Sequence, residues 1–126
     1  MSLHVSNLPP KLPVPRAFFV SAKDAVLGKS YQLSIAFVAP SQMRRLNTTY
    51  RAKSSSTDIL SFPLSPTSGE IVFCMKDVRR EAPLFEHTPE NFLKFLFIHG
   101  LLHLKGMEHG SRMEAQERKF RKKFDV

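Results

Sequence analysis

Several residue types are scarce in this chain of 126 residues, and each scarcity excludes a class of protein. The single cysteine, Cys74, cannot form an intramolecular disulfide, and its apolar neighbours predict a buried thiol rather than a nucleophile. No stretch is apolar for the roughly 18 residues that a bilayer-spanning helix needs, so we expect no membrane partner. The first residues lack the charged and apolar regions of a secretory signal, which favours a cytoplasmic protein.

Acidic residues are also few. The chain has 11 Asp and Glu against 19 Lys and Arg, a formal net charge of +8 at pH 7. Such an excess favours polyanionic partners, of which nucleic acid is the first choice. A run of cations near the C-terminus, taken alone, is more typical of a solvated helix face. Because a second basic cluster lies near residue 45, we predict RNA contacts at Arg44, Arg45, Lys53, Arg121, Lys122 and Lys123.

Three of the five histidines fall within eleven residues, at His99, His103 and His109. The first two are four positions apart, which places both imidazoles on one face of a helix. Gly106 can end that helix in the left-handed conformation and turn the chain back toward them. Three imidazoles with one open position are typical of a catalytic zinc site. The sequence therefore predicts one Zn²⁺ per chain, with another divalent transition metal as the alternative.

The elements alternate between strand and helix patterns, and the length suits one domain, residues 1–126. We predict strands near residues 3–8, 31–38, 58–62 and 70–75, with Pro63 ending the third. Helices are predicted near residues 15–28, 40–50, 76–85 and 89–104, and from Ser111, where Glu114 would complete a capping box. The helix at 89–104 is apolar on nearly every side and should be buried. These patterns predict an α+β fold, a single compact domain with a small mixed β-sheet packed by helices around a buried metal-bearing helix.

The histidine spacing first suggests a zincin peptidase, but those enzymes carry a glutamate after the first histidine as general base. Here that position is Gly100. The segment His-Gly-Leu-Leu-His-Leu-Lys-Gly-Met-Glu-His resembles instead the signature of the YbeY family of bacterial endoribonucleases. Two further segments fit the same family: Leu-Asn-Thr-Thr-Tyr-Arg ending at Arg51 with the Thr-Asp-Ile-Leu-Ser-Phe-Pro that follows it, and Gly-Glu-Ile around Glu70.

The resemblance implies a metal-dependent endoribonuclease specific for single-stranded RNA. It further implies a role in ribosomal RNA maturation at the small-subunit 3′ end and in ribosome quality control, with the small ribosomal subunit or its proteins as partners. Arg51 matches the family's functional arginine, so Arg51 and His99 are the predicted catalytic residues. Glu70 and Glu108 are candidates for carboxylates that orient the metal ligands. Two alternatives stay open, a non-catalytic RNA-binding ribosome-assembly factor with a structural metal and, less favoured, a zincin-type metallopeptidase.

Overall fold

The computed structural model describes residues 3–6, 13–51 and 57–126. Its strands are β1 (Leu3–Ser6), β2 (Gln32–Phe37), β3 (Ile59–Ser65) and β4 (Ser68–Phe73). Its helices are α1 (Arg16–Leu27), α2 (Pro40–Arg51), α3 (Met75–Glu81), α4 (Pro89–Leu104) and α5 (Ser111–Phe124), and a 3₁₀ turn (Ala82–Phe85) follows α3. No helix in these ranges has both the length and the apolarity needed to cross a bilayer.

The four strands form one mixed sheet in the order β1-β2-β4-β3. The first three are mutually parallel, and β3 runs antiparallel to β4 through a tight hairpin. The predicted α+β fold with a small mixed sheet is therefore confirmed. Its parallel pairs are reached through the crossover helices α1 and α2, as parallel neighbours require.

The two faces of the sheet bury different clusters, because successive side chains of a strand point to opposite faces. On one face Ile71 and Phe73 of β4 join the main core with α1, α4 and α5. On the other face Val72 joins a smaller cluster with Met43 of α2 and Leu60 of β3. Helix α4 thus lies between the sheet and α1 and α5, and eight of its residues are buried.

The third strand departs from the prediction. Residues of β3 continue through Pro63 to Ser65 rather than ending at the proline. Because β3 is an edge strand, a residue without an N–H costs no ladder bond on its outer side. The register shifts between Pro63 and Ser65, and the turn itself is confined to Pro66 and Thr67. The last strand accordingly begins at Ser68, two residues before the predicted start, and includes Gly69.

Helix α4 begins and ends as its sequence signals predict. The Thr88 side chain accepts a hydrogen bond from the Asn91 N–H at 3.2 Å, which caps the N-terminus. At the other end Gly106 has φ +98°, and the N–H groups of Gly106 and Met107 donate to the carbonyls of His103 and Leu102. This pair of bonds is the Schellman motif, and it reverses the chain directly after the second histidine.

Helix α5 begins at the predicted residue but without the predicted capping box. Gly110, at φ 151°, occupies the cap position ahead of Ser111, and no side chain caps the helix. The Glu114 N–H donates to the Gly110 carbonyl at 3.0 Å, and the Glu114 side chain is exposed. The capping box was wrong because the turn after α4 places Ser111 one position inside the helix.

Candidate metal centre

The three clustered histidines meet at one point although they lie on different parts of the backbone. His99 and His103 project from one face of α4, with ring centroids 4.5 Å apart. His109 comes from the connection to α5, and its ring centroid lies 5.1 Å from that of His99 and 4.8 Å from that of His103. One ring nitrogen of each lies within 4.8 Å of the others. The Schellman turn at Gly106 is what brings the third imidazole back.

Two of the imidazoles are oriented by hydrogen bonds on their outer nitrogens. His99 Nδ1 lies 2.6 Å from Glu117 Oε1, and both side chains are mostly buried, at 22% and 14% exposure. His103 Nδ1 lies 3.1 Å from the Met107 carbonyl, which can only accept. Both Nδ1 atoms therefore carry the proton, and the two Nε2 lone pairs point inward. Partners of this kind are typical of metal-bound histidines.

The inward nitrogens fit a metal ion. His99 Nε2 and His103 Nε2 are 3.0 Å apart. Two lone pairs at that distance repel each other unless a cation lies between them. Nitrogens bound to a tetrahedral Zn²⁺ at about 2.0–2.1 Å would be separated by about 3.3 Å, close to the observed spacing. The donor set therefore has both the chemistry and the spacing that a zinc-like ion requires.

The electrostatics of the site also favour neutral ligands. Burial lowers the pKa of His103, and the neighbouring His99 imidazole lowers it further. A neutral imidazole is the form that binds a metal. At neutral pH the second ligand of the triad is therefore already in its binding state.

A cavity of about 420 Å³ opens in front of the triad. Its wall combines the C-terminal end of α2, the start of β3 and the inner face of α4. The lining residues are Arg51, Thr57, Asp58, Ile59, Leu60, Ser61, His99, Gly100, His103 and His109. Arg51 and the histidines, which are 48 or more positions apart in sequence, thus face the same space.

The predicted RNA contacts have mixed positions. Arg44 and Arg45 are exposed on α2, and Lys122 and Lys123 are exposed on α5. Arg121 is half-buried, and its guanidinium lies 4.9 Å from the centre of the Phe95 ring. This packing on an aromatic face gives Arg121 a structural contact that its two neighbours do not share. The remaining predicted contact, Lys53, falls outside the described residues.

The two predicted orienting carboxylates need correction. Glu70 pairs with Phe62 of β3 and belongs to the same side of β4 as Val72, which packs toward α2, so it lies on the face of the sheet turned away from α4. Glu108 is exposed in the connection between α4 and α5. Glu117 of α5 holds the position against His99 instead.

A signal for Glu117 was present in the sequence. Its spacing from Met113 and Phe120 places it on the buried side of α5, where a carboxylate needs a partner. Which partner it finds depends on how α5 packs against α4, and helical periodicity does not contain that information.

Comparison with known proteins identifies relatives over almost the whole chain. Residues 14–125 match a family model described as Endoribonuclease YbeY. A protein of that name from Alkaliphilus metalliredigens is 33% identical over 105 residues, covering 75% of this chain and 68% of the relative. Another from Nitrosococcus oceani is 32% identical over 130 residues, covering 93% and 85%. The solution structure of TM1509 from Thermotoga maritima has a TM-score of 0.64 at 23% identity over 94% of this chain and 85% of its own, so it supports the fold.

Proposed function

Because the chain belongs to the YbeY endoribonuclease family, we propose that it cleaves single-stranded RNA in the cavity at the histidine triad. As a member of that family it is a hydrolase that acts on RNA phosphodiester bonds. His99, His103 and His109 would hold one divalent ion, with Zn²⁺ the first choice. The observation that carries the proposal is the pair of Nε2 atoms facing each other at 3.0 Å in the cavity that Arg51 also lines.

The residues around the cavity would have different roles in phosphodiester cleavage. An ion bound by the triad would polarise a phosphoryl oxygen and acidify a water molecule to a pKa of about 7. Arg51 would bind non-bridging phosphate oxygens through two parallel N–H donors and stabilise the charge that develops on them. His99, fixed by Glu117, and His103, fixed by the Met107 carbonyl, keep the donor atoms aimed at one point. This arrangement would hold a scissile phosphate between the Arg51 side chain and the triad.

The chemistry of the surface supports an RNA substrate. The net charge of +8 and the exposed cations Arg44, Arg45, Lys122 and Lys123 favour a phosphate backbone. The finer assignment follows from the family resemblance. It comprises ribosomal RNA, the small-subunit 3′ end, quality control of ribosomes, the small subunit as partner and the cytoplasm as the place of action.

The two alternatives fit the cavity less well. A zincin-type metallopeptidase lacks its glutamate, because Gly100 follows His99. A non-catalytic assembly factor with a structural metal would need a closed ligand set, whereas this triad opens into a cavity beside Arg51.

The test is to measure metal content and RNA cleavage on the same samples. Wild type, His103→Ala and His4→Ala are purified, and each is assayed with one defined RNA in single-stranded and duplex form. His4 is exposed on β1 and serves as the matched control. We expect His103→Ala to lose both the stoichiometric metal and the cleavage of the single strand, and His4→Ala to keep both. Cleavage by His103→Ala at the wild-type rate would refute a metal-dependent site at the triad.

A further inference from the structure

Helix α4, which carries His99 and His103, packs closely against β3 at the position after His99. A Cβ atom on Gly100 would lie 2.9 Å from Ser61 Oγ and 3.0 Å from Ile59 Cδ1, because α4 packs directly on β3. Both distances are shorter than ordinary van der Waals contacts. A glutamate at this position would therefore require the Ser61 and Ile59 side chains to shift. Because Gly100 carries no side chain, a carboxyl group that exchanges protons in the cavity comes from another position in the chain.

The start of β3 offers such a group. Asp58 lines the cavity together with Arg51 and the three histidines, and it is the one carboxyl-bearing residue among the described residues of the lining. Its backbone is held between the start of β3 and the end of β4, because the Cys74 N–H donates to the Asp58 carbonyl at 3.0 Å. The residue is only partly exposed.

The Asp58 carboxyl is hydrogen-bonded to the carboxyl of Glu81, at the end of α3. Two carboxylates repel each other, so such a contact requires one shared proton. Glu81 Oε2 is buried and receives no hydrogen bond from an N–H or hydroxyl donor of the described residues. Burial, the hydrogen bond and the charge of Glu81 raise the pKa of Asp58 to about 7. The other ionisable side chains that line the cavity are those of Arg51 and the three histidines, and none of them is an acid.

We propose that Asp58 is the general acid of the cleavage reaction and that Glu81 holds the shared proton on it. The proposal rests on the proposed function, since it assigns a further role at the same cavity. A water oxygen forms the new bond to phosphorus, and the bond from phosphorus to the leaving ribose oxygen breaks. Asp58 gives its proton to that leaving oxygen and becomes a carboxylate. The water's proton passes to solvent, and Asp58 recovers a proton from solvent, so the pair is restored after each turnover.

The variants Asp58→Asn and Glu81→Gln test the two roles, and Glu86→Gln, at an exposed acid five residues after Glu81, serves as the control. Single-turnover cleavage is measured between pH 5 and 9. Wild type should lose rate above about pH 7, where the acid deprotonates. Asp58→Asn should be slower by about 10²- to 10⁴-fold, the usual contribution of general acid catalysis. Glu81→Gln should remain active, with the alkaline loss of rate shifted to lower pH.

A second substrate separates proton donation from a structural role. RNA in which sulfur replaces a bridging oxygen at the cleaved linkage has a leaving group that needs no protonation. Two RNAs are synthesised, one with sulfur at each bridging position. On one of them Asp58→Asn should recover most of the wild-type rate. The proposal would be overturned if Asp58→Asn lost the same fraction of the cleavage rate on the natural RNA and on both sulfur-containing RNAs. It would also be overturned if Asp58→Asn cleaved the natural RNA as fast as wild type does. If His103→Ala also cleaves normally, the proposed function itself has failed.

Stability provides a readout that does not depend on activity. A carboxyl whose pKa is raised on folding stabilises the folded protein fully below its unfolded value near 4, and the contribution is lost as pH rises through about 7. The melting temperature of wild type should therefore fall between pH 5 and pH 8 more than that of Asp58→Asn. If Asp58→Asn does not fold, the shifted pH profile of Glu81→Gln decides the question. Identical profiles for Glu81→Gln and wild type would overturn the shared proton.

Discussion

The contact between Glu117 and His99 leads to a quantitative prediction about metal affinity. Glu117→Gln keeps the shape of the side chain and an oxygen acceptor for the proton on His99 Nδ1. It removes the negative charge of the carboxylate, whose Oε1 lies 2.6 Å from that Nδ1. Loss of such a partner typically weakens metal binding about 10- to 100-fold, or about 1.4–2.7 kcal/mol. The pair is largely shielded from water, so we expect the effect to survive at physiological salt.

The same change should be visible in thermal unfolding. Metal that binds the folded state alone raises its stability, and at saturating metal the difference between the two proteins equals the difference in binding free energy. For a domain of this size about 1 kcal/mol corresponds to roughly 3–5 °C. Zinc raises the melting temperature of each protein above that of its own metal-free form. This rise should therefore be roughly 4–13 °C smaller for the variant than for wild type.

The assay is competition for Zn²⁺ against a chromophoric chelator, followed by melting curves with and without metal. Glu114→Gln is the matched control, because Glu114 is exposed on the same helix. It should change neither measurement. If Glu117→Gln binds Zn²⁺ as tightly as wild type while His99→Ala does not, then Glu117 does not orient the ligand and our reasoning on the hydrogen bond is refuted.

Three further results follow from the structure. Arg51→Ala should slow cleavage by about 10²- to 10³-fold with metal content unchanged, and Arg51→Lys should not restore the rate, because lysine lacks the planar pair of donors. Cleavage by either variant at the wild-type rate would contradict the role of Arg51. Reversing the exposed Lys122 and Lys123 to glutamate should lower the slope of log affinity against log salt by up to about 1.4 for single-stranded RNA, and an unchanged slope would mean that these two cations do not contact the RNA. Phe97→Ala should cost about 3–5 kcal/mol in urea unfolding, because Phe97 is fully buried with its ring centroid 4.9 Å from that of Phe19, whereas Leu84→Ala at a 76% exposed site should stay within about 0.5 kcal/mol.

Local sequence signals determined the elements and part of the site. Thr88, Pro89 and Gly106 mark the ends of α4, and each acts through backbone groups of its own turn, so no distant contact is needed to read them. The spacing of His99 and His103 is likewise a property of one helix, and the glycine turn makes the return of His109 predictable. The mixed sheet followed from the alternation of strand and helix patterns.

Only the tertiary structure decided which groups surround those histidines. Glu70 and Glu108 are near the motif in sequence or in family pattern, yet one lies on the opposite face of the sheet and the other at the surface. Glu117 reaches His99 because α5 packs against α4, and Asp58, just ahead of β3, interacts with Glu81 of α3. These contacts join residues 18 and 23 positions apart. Periodicity specifies which face of an element is buried, but the partner across that face depends on how the elements pack.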